Sequence, residues 1–166
     1  AFLDSYHRLT HLPEPEYKTV SVPALFTKLE RLLQAEPRSE RVVYCDGKAD
    51  RSTGKELQVY GDANLLTLAL INLIRNALQA VEGQEDGIVR VDTCAGATGH
   101  LLITITDNGP GIPPERLSAI FTPFFSTKSG GSCIGLPISQ RIMQLHGGQL
   151  SVSSIPNVRT EFRMEF

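Results

Sequence analysis

An aspartate followed by two glycines, at the end of an apolar strand, is the feature of this sequence that most suggests chemistry. Asp107-Asn-Gly-Pro-Gly111 comes directly after the run Leu101–Thr106, so its carboxylate is held at the end of a rigid element. Glycines let the chain turn sharply and let a flat ligand approach without a Cβ in the way. An ionised carboxylate only accepts hydrogen bonds, which suits the exocyclic amine of an adenine. Asp-Asn-Gly is also ordinary turn chemistry, and the motif alone leaves that alternative open.

Two asparagines share one face of a helix that is otherwise apolar. The run Leu65–Val81 repeats Leu, Ile and Ala at helical spacing, and Asn72 and Asn76 are four residues apart. Asn is a poor choice for a helix interior, so two on one face suggest a common polar task. Paired amides supply oxygens for Mg²⁺, which needs few protein ligands, and donors for phosphate oxygens. The alternative is a solvated face or a pair of buried, satisfied amides.

A third motif combines aromatic residues, a lysine and a glycine-rich helix start. Phe121-Thr-Pro-Phe-Phe-Ser-Thr-Lys128 is followed by Gly130-Gly-Ser-Cys-Ile-Gly135. Backbone N–H groups at a helix start, with a lysine nearby, form an anion site. The alternatives are core packing for the phenylalanines and a flexible linker for the glycines.

Composition limits the classes of protein to which the chain can belong. Its 166 residues suit one domain with its own core. A net charge of −2 and a pI of about 6.1 imply no basic face, so nucleic acid is not an expected partner. No run of about 18 apolar residues and no signal peptide is visible, so no direct membrane contact is expected. Cys45, Cys94 and Cys133 have no metal-binding spacing and indicate a reducing cytoplasm; whether the parent protein is membrane-anchored stays open.

The order of segments predicts an α+β fold, a two-layer α/β sandwich in which a mixed, mostly antiparallel sheet packs on a layer of helices. Strands are predicted at 19–22, 41–45, 57–60, 88–94, 101–106, 149–154 and 159–166. Helices are predicted at 24–34, after an Asp62 N-cap, at 114–120 and at 134–146. The long segment from Asn108 to Ser132 is of the kind that is usually functional or mobile.

Order and spacing of these motifs resemble one family. The Asn-x3-Asn helix, Asp-x-Gly-x-Gly after a strand, Phe-x-Pro-Phe-Phe-x-Thr-Lys and a glycine-rich helix start lie between Val20 and Phe166. Together they are similar to the catalytic ATP-binding domain of bacterial sensor histidine kinases, of the GHKL ATPase superfamily. Arg75–Ala80 and Phe121–Lys128 look most like the nitrogen-regulation and dicarboxylate-sensing branch. The resemblance implies a nucleotide between the two layers, under an ATP lid formed by residues 108–132.

The resemblance implies that the domain donates the γ-phosphoryl group of Mg-ATP to a histidine in two-component signalling. That histidine would lie on a dimerisation domain outside this chain, because neither His7 nor His11 precedes the carboxylate that the family places there. A response regulator would act downstream. We expect 1–18 to be the end of the dimerisation helix and a linker, and 19–166 to be the ATP-binding domain. The chain begins without Met, and we interpret it as a piece of a larger protein. We do not expect this piece by itself to autophosphorylate.

The resemblance assigns one group of residues to the adenine. Asp107 would accept a hydrogen bond from the adenine amine, and Thr160 matches a family threonine near that carboxylate. The remaining members would line the base or allow close backbone approach: Ala80, Gly109, Gly111 and Ile112.

A second group is assigned to the phosphates and to Mg²⁺. Asn76 would ligate the metal with Asn72 beside it, and Lys128 would reach the terminal phosphate, which makes Asn76 and Lys128 the predicted catalytic residues. Phosphoryl transfer needs positioning and charge neutralisation more than covalent chemistry. Four further residues would surround the phosphates: Gly131, Ser132, Gly135 and Leu136.

Three departures from the family pattern leave a second function open. Cys133 stands where the glycine box usually has glycine, Asn157-Val-Arg-Thr160 lacks two glycines that usually precede the threonine, and Pro137 replaces a small residue. These changes concern phosphate binding and leave adenine recognition untouched. The alternative is therefore a degenerate, non-catalytic module that senses nucleotide or acts as a scaffold.

Overall fold

A computed structural model describes residues 12–45, 54–95, 100–123 and 134–166. These residues form seven strands and four α-helices in two layers, which confirms the predicted α+β sandwich. The strands are β1 (Lys18–Ser21), β2 (Val42–Cys45), β3 (Gln58–Gly61), β4 (Val89–Ala95), β5 (Leu101–Asp107), β6 (Gln149–Ile155) and β7 (Arg159–Glu165). The helices are α1 (Val22–Leu33), α2 (Ala63–Ala80), α3 (Pro114–Leu117) and α4 (Gly135–Leu145).

Five strands form the main sheet, in the order β2-β4-β5-β7-β6. Strand β2 runs parallel to β4, and the other neighbouring pairs are antiparallel, as predicted for a mixed, mostly antiparallel sheet. The predicted closing hairpin is the pair β6–β7. Strands β1 and β3 pair with each other in a separate two-stranded sheet, a pairing that the sequence did not predict.

Helix α2 is the central element of the helix layer. Leu66, Leu70, Leu73 and Ile74 are fully buried along it, at the i, i+4, i+7, i+8 spacing of one helix face. The helix packs against α4 and α1 on its sides and against β5 of the sheet below. Among the described residues, no helix is both long enough and apolar enough to cross a lipid bilayer.

Asp62 caps the N-terminus of α2, as predicted. Its carboxylate accepts hydrogen bonds from the backbone N–H groups of Asn64 and Leu65, at 2.8 and 3.0 Å, and of Glu16, at 2.8 Å. Burial alone would raise the pKa of Asp62, but these three N–H groups and nearby His146 hold that pKa below its ordinary value. The cap therefore joins the segment before β1 to the helix that carries the asparagine pair.

Removing the Asp62 carboxylate should destabilise the domain in a pH-dependent way. Asp62→Ala should lower the free energy of unfolding by about 1–2 kcal/mol at neutral pH through loss of the cap. Because the pKa is depressed in the folded state, the charge contributes stability above the unfolded value near 3.8, and that contribution is lost as pH falls through the lower folded value. Urea denaturation down to about pH 3 should show a steeper loss below about pH 4 for the parent than for Asp62→Asn.

The exposed Asp86 provides the control, since Asp86→Asn removes a carboxylate that caps no helix. This variant should keep the parental dependence of stability on pH. Equal slopes for the parent and Asp62→Asn would contradict the proposed contribution of the charged cap.

Candidate functional site

A row of polar side chains lies on the inner face of three neighbouring strands of the sheet, β5, β7 and β6. Asp107 on β5, Thr160 on β7 and Ser154 on β6 lie opposite one another in the strand register, and directly opposite residues share a face. The preceding row on β5 and β7 is apolar, with Ile105 opposite Phe162. Asp107 is only 2% exposed and Thr160 only 3%. The sheet therefore presents a carboxylate and two hydroxyls at the polar end of its core.

The turn after β5 orients the carboxylate of Asp107. The N–H of Gly109 donates a hydrogen bond to Oδ1 of Asp107 at 2.9 Å. A Cβ at Gly109 would lie 2.7 Å from the same oxygen and 3.0 Å from the Cβ of Ala80. The turn can therefore close against the end of α2 only because Gly109 has no side chain. Ala80, at that end of the helix, lies beside the turn that holds Asp107.

The neighbouring Asn108 carries much of the turn chemistry that the sequence offered as the alternative. Its Oδ1 accepts the N–H of Ile88 at 2.8 Å, and its Nδ2 donates to the carbonyl oxygen of Asp86 at 2.9 Å. These bonds fasten the turn to the start of β4. The turn and functional interpretations of this motif are thus compatible, because adjacent residues serve them.

The same turn rests on the connection between β6 and β7. Gly111 has φ +72°, and a Cβ there would lie 2.6 Å from the carbonyl oxygen of Ile155. The N–H of Asn157 donates to the carbonyl oxygen of Pro110 at 2.7 Å. Asn157 itself has φ +59°, a left-handed conformation that Asn tolerates better than most residues. At this position asparagine therefore adopts the backbone conformation for which glycine is usually selected.

Asn72, Asn76 and Ala80 form one stripe along α2, because they are spaced by four residues. The Nδ2 of Asn72 donates to the carbonyl oxygen of Gly135 at 3.4 Å, at the start of α4. Ala80 lies at the other end, against Gly109, about 12 Å away along the helix axis. All three stripe residues are half-buried. The stripe therefore connects the Asp107 turn with the first turn of α4, and Asn76 lies midway.

The first turn of α4 offers backbone donors. Ile134 at the N-cap makes no side-chain capping bond within the described part of the chain. The N–H groups of Gly135 and Leu136 have no intrahelical acceptor, and a helix N-terminus carries partial positive charge. Pro137 is the third helical residue and is tolerated there, because its missing N–H is not needed in a first turn. A Cβ on Gly135 would make only ordinary contact with Asn72, at 3.6 Å.

The predicted lid residues Lys128, Gly131 and Ser132, with Cys133, lie outside the described residues, so their roles stay predictions. Among the described residues, no group of three or more His, Cys, Asp or Glu side chains could hold a metal ion. A divalent cation on the stripe would therefore depend on amide, phosphate and water oxygens, a ligand set that Mg²⁺ accepts.

Comparison with known proteins identifies the family. Residues 61–166 match the family described as histidine kinase-, DNA gyrase B-, and HSP90-like ATPase. The chain belongs to this family. It is 42% identical over 98 residues to the sensor histidine kinase ZraS of Salmonella typhimurium, covering 59% of this chain and 21% of ZraS. It is 33% identical over 163 residues to the sensory histidine kinase/phosphatase NtrB of Vibrio alginolyticus, covering 92% of this chain and 45% of NtrB.

Solved structures place the chain among the catalytic domains of that family. The nucleotide-free catalytic domain of histidine kinase ThkA superposes with a TM-score of 0.73 at 26% identity, covering 91% of this chain and 95% of that domain. The mycobacterial sensor histidine kinase MprB gives 0.72 at 26% identity, covering 91% and 97%. The chain spans less than half the length of the two curated relatives above. The resemblance read from the motifs is confirmed, and the chain is a catalytic, ATP-binding domain of the sensor histidine kinase type.

Ser154 is the member of the polar row that sequence reasoning missed. On β6 it lies on the same face as Leu150 and Val152, at alternate positions along the strand, and their side chains face the core. A serine at the last inward position of a strand is a detectable signal once the strand is assigned.

Adding a methyl group to Gly109 should destabilise the site. Gly109→Ala forces a Cβ toward the Asp107 carboxylate and Ala80, and overpacking of this kind costs about 1–3 kcal/mol. Gly83→Ala is the matched control, because a Cβ there meets nothing within 4 Å. Urea denaturation should show the loss for Gly109→Ala and a change within about 0.5 kcal/mol for Gly83→Ala. Similar effects of the two substitutions would contradict the packing of this turn.

Proposed function

We propose that this domain binds Mg-ATP and donates the γ-phosphoryl group to a histidine on the dimerisation domain of its parent protein. One observation carries the proposal. The buried Asp107 carboxylate, held by Gly109, lies in the polar row at one end of the α2 stripe, and the start of α4 lies at the other. An adenine at the first end and phosphates at the second would use both ends of this stripe.

The adenine end is supported by the chemistry of the polar row. Asp107 would accept a hydrogen bond from the exocyclic amine, and Thr160 lies opposite it on β7. Ala80, Ile112 and the backbone at Gly109 and Gly111 would surround the base. Buried polar groups of this kind reject ligands that leave them unpaired, at about 1–3 kcal/mol for each unpaired group.

The phosphate end is supported by the stripe and by the first turn of α4. Asn76 would ligate Mg²⁺ through its amide oxygen, with Asn72 beside it and the ion bridging phosphate oxygens. Backbone N–H groups of Gly135 and Leu136 would face the phosphates. From the segment that the structure does not describe, Lys128 would neutralise the terminal phosphate, and Gly131 and Ser132 would complete the surroundings.

The proposed partners are the histidine-bearing dimerisation domain and a response regulator. A structure of ThkA in complex with the response regulator TrrA is similar in fold, with a TM-score of 0.67 at 23% identity. The assignment of 1–18 to the dimerisation helix and linker remains a proposal. Within that segment, Glu16 and Tyr17 bond to Asp62 and Leu145, contacts that would attach the proposed linker to the rest of the domain. A cytoplasmic location is also proposed.

The degenerate-module alternative has less support than the kinase. The matched relatives are sensor histidine kinases. Two of the three departures from the family pattern have a physical accommodation, in the left-handed Asn157 and in the first-turn position of Pro137.

Asp107→Asn should weaken ADP binding by about ten- to hundredfold while the domain stays folded, because an amide can turn an N–H toward the adenine amine. Isothermal titration calorimetry with ADP and Mg²⁺ measures the change. Asp92→Asn is the matched control, on the adjoining strand β4 of the same sheet, and should bind as the parent does. Parental affinity in Asp107→Asn would reduce Asp107 to a turn residue, and no binding by the parent would overturn the nucleotide site.

Asn76→Ala should abolish the gain in ATP affinity that Mg²⁺ gives, while leaving affinity for adenosine near the parental value. The reason is that Asn76 lies at the middle of the stripe, away from the Asp107 turn. Asn64→Ala controls for the substitution itself, since Asn64 is in the first turn of the same helix and bonds to Lys28. Titrations with and without Mg²⁺ provide the comparison. An unchanged Mg²⁺ dependence in Asn76→Ala would remove Asn76 from the metal site.

A further inference from the structure

We propose that Ser154 is a positioning residue that fixes the direction of the Thr160 hydroxyl and so favours 6-amino over 6-oxo purines. The inference rests on the proposed function, because it concerns the base-binding end of the same site. Ser154 would act through Thr160, to which it is hydrogen-bonded. It lies on β6 as the third member of the polar row, opposite Thr160.

Within the described part of the chain, three hydrogen-bond contacts converge on the Oγ of Ser154. The N–H of Ile112 donates to it at 2.8 Å. The hydroxyl of Ser154 donates to the carbonyl oxygen of Arg159 at 3.0 Å. The third contact, at 3.1 Å, is with the Oγ1 of Thr160, and its geometry permits either oxygen to donate.

Counting hydrogens decides the direction of the third bond. A hydroxyl has one hydrogen and two lone pairs. The carbonyl of Arg159 cannot donate, so the hydrogen of Ser154 goes to it, and the N–H of Ile112 uses one lone pair. All three contacts are then made only if Thr160 donates its hydrogen to the remaining lone pair of Ser154.

This assignment determines what Thr160 presents to the rest of the site. With its hydrogen directed at Ser154, Thr160 has only lone pairs for other partners. The neighbouring Asp107 carboxylate is also an acceptor, so this edge matches a ligand edge that carries N–H donors. The amine of adenine carries two hydrogens at this position, whereas hypoxanthine and guanine carry an oxygen that would face acceptors. A buried acceptor facing an acceptor loses its partner and is penalised.

Ser154→Ala removes the acceptor that holds the Thr160 hydrogen. The threonine hydroxyl can then rotate and donate to a 6-oxo group. We expect ADP affinity to fall by about three- to tenfold and inosine diphosphate affinity to fall less or to rise. The ratio of the two affinities should therefore shrink by at least about threefold. A purely structural role for Ser154 would weaken both ligands equally and leave the ratio unchanged.

The test uses calorimetry of the whole chain with ADP and inosine diphosphate, both with Mg²⁺. Ser154→Thr keeps the hydroxyl and should keep the parental ratio. Ser153→Ala, an exposed serine on the same strand, should match the parent. In a Thr160→Val background Ser154→Ala should no longer change the ratio, because the effect acts through Thr160.

A second readout requires no nucleotide. The amide hydrogen of Ile112 should exchange faster with solvent in Ser154→Ala than in the parent or in Ser153→Ala. An affinity ratio that Ser154→Ala leaves unchanged, or a change that persists in the Thr160→Val background, overturns the role of Ser154 but not the proposed function. An unchanged exchange rate of the Ile112 amide hydrogen overturns its bond to Ser154. Failure of the parent to bind either nucleotide overturns the proposed function as well.

Discussion

The pairing of β5 with β7 beneath helix α2 is the constraint on which both the core and the site depend. The register sets Ile103 opposite Met164 and Asp107 opposite Thr160. Because side chains alternate along a strand, a slip of one residue would move every inner side chain to the outer face. Burial of the apolar residues selects this register. The same register places the Asp107 carboxylate on the inner face at the end of β5, so no further interaction is needed to bring the polar row together.

The sequence predicted most elements because their signals are local. Asp62, as an N-cap, indicates where α2 starts, and the helical spacing of apolar residues indicates its length. The alternation of apolar and polar residues indicates β5 and β7. Both strands of the separate β1–β3 sheet were predicted, at 19–22 and 57–60, but their pairing was not, because it joins distant parts of the chain. The candidate site residues were named from their types and spacing and stay predictions, whereas what each glycine contacts could not be predicted. Gly109 and Gly111 were assigned to ligand approach, whereas the described structure also requires them for contact with Ala80 and Ile155.

The contacts of the Asp107 turn serve folding and would also serve the proposed binding of adenine. Asn108 bonds to the start of β4, Gly111 packs on the β6–β7 connection, and Ile112 bonds to Ser154. Each contact fixes the turn from a different side, so the Asp107 carboxylate has little freedom to reorient. A binding group held this way loses little conformational entropy when a ligand arrives, which is how preorganisation raises affinity. The turn contacts, which the sequence offered as the alternative to a binding role, would thus support the proposed binding.

The two ends of the site are kept at a fixed separation because hydrogen bonds join α2 and α4 near both ends of α4 and, from Ser139 to the carbonyl oxygen of Ala69, at its middle. Asn72 bonds to Gly135 at the start of α4. At the other end of α4, the Nε2 of His146 accepts the N–H of Asp62 at 2.9 Å. Since an amide N–H only donates, Nε2 is the acceptor, and Nδ1 donates to the carbonyl oxygen of Ile142 at 2.7 Å. The hydroxyl of Tyr17 donates to the carbonyl of Leu145 beside it. The segment before β1 therefore contacts both helices, α2 through Asp62 and α4 through Leu145. A change in the position of this segment would shift α4, and so also its first turn, which would face the proposed phosphates.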